Sequence, residues 1–101
     1  MVKMLLTCSA GLSSSMVMTK IAEAAKSRGL ELDIDAVSVD AVPSHIDGTQ
    51  VLLIGPQMSH AKNNLEERFG DRCKVMVMDM MDYGRMNGEA ILDKALALIG
   101  E

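Results

Sequence analysis

The stretch Val2-Lys3-Met4-Leu5-Leu6-Thr7 is apolar at nearly every position and stops at Cys8-Ser9-Ala10-Gly11-Leu12-Ser13-Ser14-Ser15, where small and hydroxyl residues take over. A strand with one face in water alternates apolar with polar; a run without alternation needs cover on both faces, as inside a parallel sheet. Helical spacing follows at once, with Val17, Ile21, Ala24 and Ala25 at steps of three and four and Lys20, Glu23, Lys26 and Arg28 between them. A strand, a tight loop and a helix in direct succession restrict the chain to α/β architectures.

The rest of the chain repeats this alternation. The first helix is expected from about Ser13 to Arg28, with Ser13 or Ser14 as N-cap and Gly29 as the residue that ends it. Leu30 to Val39 reads as a strand in which Leu32, Ile34 and Ala36 alternate with Glu31, Asp33 and Asp35, which suits the margin of a sheet. Asp40 to Thr49 is a connection in which any helical turn has no obvious place. Gln50 to Ile54 is a second fully apolar run, stopped by Gly55-Pro56. Met58, Ala61, Leu65 and Phe69 mark a helix ended by Gly70; Lys74 to Met78 is a fourth strand; Asp79 to Gly88 is a loop; and Ile91, Leu92, Ala95, Leu96 and Ile99 form the buried face of a last helix over Glu89 to Ile99.

Four strands separated by helices imply right-handed crossovers and a four-stranded parallel sheet with helices on both faces. The order 2-1-3-4 satisfies these constraints with both apolar runs inside and places the topological switch between strands one and three. Ligands in such sheets bind beyond the carboxyl ends of the strands, so Cys8 to Ser15 lies there with Gly55-Pro56-Gln57 and Asp79 to Tyr83 beside it. That puts a thiol below a helix N-terminus, where inward-turned amides and the helix dipole suit a phosphate-like anion and favour thiolate.

Composition bounds the function. The 101 residues suffice for one domain, 1–101. A formal net charge of −4 disfavours nucleic acid and anionic membrane surfaces as partners. Cys8 and Cys73 stand alone, with no Cys-x-x-Cys and no ligand-spaced histidines, so neither a zinc site nor any other metal or cofactor is supported. The apolar start breaks at Thr7, too short for a secretory h-region or a membrane span, and a cytoplasmic location is expected. Ten methionines against one Phe and one Tyr point mainly to Met as core filler, and Met80, Met81 and Met86 in the late loop are candidates for an adaptable partner surface.

Taken together, an apolar strand, Cys-Ser-Ala-Gly-x-Ser-x-Ser, a helix, Leu-Leu-Ile-Gly-Pro-Gln in the middle and Asp-x-x-x-Tyr-Gly late resemble the IIB component of the lactose/cellobiose/chitobiose class of the bacterial phosphoenolpyruvate-dependent sugar phosphotransferase system. The resemblance spans nearly the whole chain. It implies a flavodoxin-like, low-molecular-weight phosphatase-like fold. It also implies a phosphotransferase in which Cys8 takes a phosphoryl group from a histidine of the IIA component and passes it to a sugar held by the membrane-embedded IIC component. Ser9, Ala10, Gly11, Leu12, Ser13, Ser14 and Ser15 match the family's phosphate-binding loop, and the partner-facing rim is expected at Leu12, Met16, Met58, Met80 and Met81. The implied protein is a monomer that does not itself enter the membrane.

Three other classes share parts of this pattern. Low-molecular-weight tyrosine phosphatases and related arsenate reductases carry Cys-x5-Arg, and counting from Cys8 the arginine position is Ser14. Without that guanidinium, an anion loses about 1.5 to 3 kcal/mol of charge-assisted binding. A phosphatase needs this; a carrier that must release its phosphoryl group does not. A flavodoxin-type module stacks its flavin on aromatics, of which only Phe69 and Tyr83 exist, and a receiver domain needs aspartates where Thr7-Cys8 and Gly55-Pro56 stand. Asp79 and Asp82 are expected as caps or turn residues before general acids, His45 as solvated, His60 as nearer the site, and Cys73 as an inert thiol at the opposite sheet end.

Overall fold

In the computed structural model, which describes residues 2–7 and 11–100 and for residues 11–14 the backbone alone, the apolar run at the start is strand β1 (Val2–Thr7). It pairs in parallel with β2 (Leu32–Val37) from Val2↔Leu32 to Thr7↔Val37 and with β3 (Val51–Ile54) from Met4↔Val51 to Thr7↔Ile54. Outside β3 lies β4 (Lys74–Val77), so the sheet has the expected order β2-β1-β3-β4. All of β3 is buried, whereas β2 alternates half-buried Leu32, Ile34 and Ala36 with exposed Asp33 and Asp35, as an edge strand must.

Helices cover both faces. On one, α1 (Gly11–Ser27) and α5 (Gly88–Leu98) bury Val17, Ile21, Ala24, Ala25, Ile91, Leu92 and Ala95 against Met4, Leu6, Val51 and Leu53. On the other, Val42 of α2 (Val42–His45) with Ile46, and Leu65 and Phe69 of α3 (Lys62–Phe69), pack on Leu5, Leu52 and Ile54. Full burial of such a side chain is worth about 1.5–3 kcal/mol. These two layers hold the innermost strand in place.

Four local expectations change. Helix α1 begins at Gly11, so Ser13 and Ser14 lie within its first turns and neither is the N-cap. Its other end is as expected: Gly29 takes φ +70°, with Gly29 N donating to Lys26 O at 3.1 Å and Leu30 N to Ala25 O at 2.9 Å, a Schellman close. The connection after β2 does contain helix, a 3-10 turn Val39–Ala41 running into α2 and anchored by buried Val42 and Ile46. The single helix expected from Met58 is two pieces, a 3-10 segment Pro56–Ala61 kinked at Met58 (φ −114°, ψ 23°) and then α3. A spacing of three residues suits either helix type, so the sequence pattern did not separate them.

The fourth change concerns the stretch after β4. It is not a loop throughout but holds a short helix, α4 (Met80–Gly84), started by Asp79, whose Oδ2 accepts from Met81 N at 3.1 Å and Asp82 N at 3.2 Å. Met86 follows with φ +54° and packs half-buried on the first core face, unlike the exposed Met80 and Met81.

Candidate active site

The site is approached from the two ends of the connection between β1 and α1. Thr7 ends the innermost strand, paired to Val37 on one side and Ile54 on the other, and its carbonyl accepts from Gly55 N at 2.9 Å. Gly11 opens the 17-residue helix α1, whose N-terminus carries partial positive charge. Only residues 8–10 separate the two. The expected nucleophile Cys8 and its neighbours Ser9 and Ala10 therefore fall outside the described residues. Of the expected loop, Gly11, Leu12, Ser13 and Ser14 have α1 backbone, and Ser15 is exposed, its carbonyl accepting from Thr19 Oγ1 at 3.0 Å.

The sheet topology does bring the other two expected segments together. Pro56 and Gln57, following β3, face Met80, Tyr83 and Gly84 of α4 across a mostly apolar groove of about 340 Å³. Met80 and Met81 stand out at 74% and 57% exposure, and Met16 on α1 at 52%. Met58, also expected on the rim, instead packs half-buried against the second core face. Among the described residues no helix is long and apolar enough to cross a membrane.

Comparison with known proteins decides the family. The profile described as PTS system, lactose/cellobiose specific IIB subunit matches residues 3–94. This chain belongs to that family. The IIB component is 40% identical over 100 residues to the PTS system oligo-beta-mannoside-specific EIIB component of Bacillus subtilis, covering 98% of this chain and 97% of that one. The solution structure of a cellobiose-specific phosphotransferase IIB component from Borrelia burgdorferi superposes with a TM-score of 0.78 at 33% identity, covering 95% of this chain and 89% of that one. The lactose-specific IIB domain from Streptococcus pneumoniae, at 17% identity and a TM-score of 0.79 over 95% of each chain, shares the fold. Membership makes this chain a phosphotransferase component of a sugar transport system.

Within this IIB component both carboxylates near the carboxyl edge are committed. Asp79 caps α4, and Asp82 accepts from Lys94 Nζ at 2.6 Å with its side chain only 15% exposed. The hydrogen bond to Asp82 raises the Lys94 ammonium above its ordinary range. The sequence signal for these roles was the Asp-x-x-Asp spacing, in which the first residue can cap and the second sits inside the turn; Lys94, on α5, carried no such signal.

The remaining titratable candidates lie elsewhere. His60 is exposed in the 3-10 segment after β3. Nδ1 of His45 lies 2.9 Å from Ala41 O, and His45 lines a separate cavity with Lys3, Asp33 and Asp47. Cys73 is buried just before β4, at the amino end of the sheet as expected. Its Sγ lies 3.6 Å from Phe69 O, and burial pushes its thiol pKa up, followed by the charge of Asp71.

Thr7, at the end of β1, carries no sequence signal beyond its place in the strand. Thr7 is fully buried and its Oγ1 has no hydrogen-bond partner among the described residues. An unpaired buried hydroxyl costs about 1–3 kcal/mol.

Proposed function

We propose that this chain is a cytoplasmic phosphoryl carrier in which Cys8 receives a phosphoryl group from a phosphohistidine of a IIA component and delivers it to a sugar bound by a IIC permease. The sulfur lone pair forms the S–P bond as the P–N pair returns to the imidazole, which takes up the proton the thiol has given up. In the second step a sugar hydroxyl oxygen attacks phosphorus, the S–P pair returns to sulfur, and the hydroxyl proton passes to a base on the partner. Ser9, Ala10, Gly11, Leu12, Ser13, Ser14 and Ser15 form the anion cradle, acting through main-chain amides and the α1 dipole. Both steps are in-line displacements that need positioning and electrostatic support.

The observation that carries this reading is the placement of α1: a 17-residue helix starts four residues after the end of the innermost strand, at the sheet edge where the topology switches. Ser14, where a phosphatase would have arginine, favours a group that can leave again. A β-linked disaccharide such as cellobiose, chitobiose or lactose is the proposed sugar class, supported by the family description and by relatives named for oligo-beta-mannosides and cellobiose beside one named for galactose. The chain works as a single domain and as a monomer, because a relay must release one partner to meet the next. Met16, Met80 and Met81 supply the adaptable rim for both.

Incubation with phosphoenolpyruvate, the general phosphotransferase proteins and a cognate IIA, followed by intact mass and peptide mapping, tests this directly. A phosphoryl adduct on Cys8 that is absent in Cys8→Ser is expected. Cys8-dependent hydrolysis of an aryl phosphate, with no adduct from any IIA, would overturn the carrier reading in favour of a phosphatase.

A further inference from the structure

Among the described residues the methionines divide by exposure. Met4 and Met78 are fully buried, and Met58, Met76 and Met86 are half-buried against the two core faces. Met80 and Met81, neighbours in the first turn of α4, are 74% and 57% exposed, and Met80 forms one wall of the groove it shares with Pro56, Gln57, Tyr83 and Gly84. Neither side chain holds α4 in place. That short helix is fixed by the Asp79 cap, by buried Tyr83 and by the bond from Lys94 to Asp82. Two soft sulfurs are thus offered to solvent where a change of polarity leaves the core untouched.

We propose that Met80 and Met81 are a reversible oxidation site, at which conversion of their thioethers to sulfoxides weakens the docking of the phosphoryl donor. The oxidant is a peroxide. A sulfur lone pair attacks one peroxide oxygen, the O–O bond breaks and an S–O bond forms; with hydrogen peroxide the other oxygen leaves as hydroxide and becomes water with the proton of the transferred one. The sulfur loses two electrons and the peroxide gains them. In the reverse step two thiols become a disulfide and the sulfoxide oxygen leaves as water. A sulfoxide places a hydrogen-bond acceptor on what was an apolar, polarisable surface. Buried against a partner that offers no donor, such a group weakens binding about tenfold. The inference rests on the reading that Met80 and Met81 belong to the partner-facing rim around Cys8.

The test uses the full chain, as wild type and as the double variant Met80→Leu/Met81→Leu, with Cys8 first capped as a methyl disulfide so that peroxide does not consume it. After hydrogen peroxide treatment the cap is removed with dithiothreitol, which leaves sulfoxides in place, and peptide mapping reads each methionine. Met80 and Met81 should oxidise about tenfold faster than Met4 and Met78, with little change in melting temperature. Phosphoryl acceptance is then followed against the concentration of a phosphorylated cognate IIA, each protein compared with its own untreated form. Oxidation of the wild type should raise KM for IIA about tenfold and leave kcat unchanged, and the double variant should show no such rise. Met16, also exposed, is kept in the double variant, so an effect arising there appears in both proteins. Equal oxidation of Met4 and Met80, an unchanged KM in the oxidised wild type, or the same rise in the double variant overturns the proposal and leaves the carrier reading standing. If the untreated wild type accepts no phosphoryl group from any IIA, the carrier reading fails and this inference falls with it.

Discussion

Gly88→Ala is the sharpest test of how the fold positions α1. Gly88 opens α5 where that helix crosses the backbone of α1, and a Cβ added there would lie 2.3 Å from both C and O of Lys20 and 2.7 Å from Ile21 N. These are main-chain atoms in the middle of a helix, with no rotamer to relieve the overlap. Contact at ordinary van der Waals distance requires α1 and α5 to separate by roughly 1 Å, which opens gaps around Ile21, Ile91 and Leu92. Overpacking of this kind costs about 1–3 kcal/mol, against a gain of at most about 1 kcal/mol from replacing glycine in a helix. A net loss of about 1–2 kcal/mol lowers the melting temperature of a domain this size by about 4–16 °C.

Gly84→Ala is the matched control, since a Cβ there meets nothing within 4 Å, and it should be neutral or stabilising by about 0.5–1 kcal/mol. Thermal melts by circular dichroism and urea midpoints with unchanged slope read both variants. Because α1 begins at the proposed anion cradle, the displaced helix should also slow phosphoryl acceptance by Cys8. A Gly88→Ala protein that melts at or above wild type would refute the packing argument.

Other perturbations follow from the same geometry. Asp79→Ala removes the acceptor for two amides of α4 and should cost about 0.5–2 kcal/mol in urea unfolding, with Asp79→Asn recovering most of it. Leu53→Ala, in a strand buried on both faces, should lose about 2–5 kcal/mol by the same measurement. The raised pKa of Cys73 fixes a sign: below its ordinary value of 9.0 folded and unfolded chains both keep the proton, and above it the unfolded chain releases it first. Stability should therefore fall as pH rises past 9.0, and Cys73→Ala should flatten that slope in urea midpoints taken across the alkaline range.

Much of the sheet was legible because burial on two faces leaves a mark that no other structure requires. Val2 to Thr7 and Val51 to Ile54 carry apolar residues almost without break, and the alternation of Leu32, Ile34 and Ala36 with aspartates marks an edge. The expected order β2-β1-β3-β4, one that keeps both apolar runs inside, is the one the sheet adopts, with β1 ending just before Cys8 at its carboxyl edge. Gly29 was readable too, because a left-handed C-cap nearly demands glycine.

Short elements were not legible. The Val39–Ala41 turn with α2, the kinked 3-10 segment at Met58 and α4 each run for six residues or fewer per regular piece, too few for a period to declare itself. The first and the last are anchored by Val42, Ile46 and Tyr83, which gain burial in the assembled core, and the middle one by half-buried Met58 and Ala61. The same is true of Met86, drawn in from a stretch that reads as loop, and of the bond between Lys94 and Asp82, which joins α5 to α4. The sequence alone determined which strands are central and that Cys8 follows one of them, since those depend on local pattern and chain order. Only the tertiary structure decided that Thr7 is buried with its hydroxyl unpaired among the described residues and that Gly88 packs closely on the α1 backbone, because solvent exclusion and close approach arise between elements far apart in the chain.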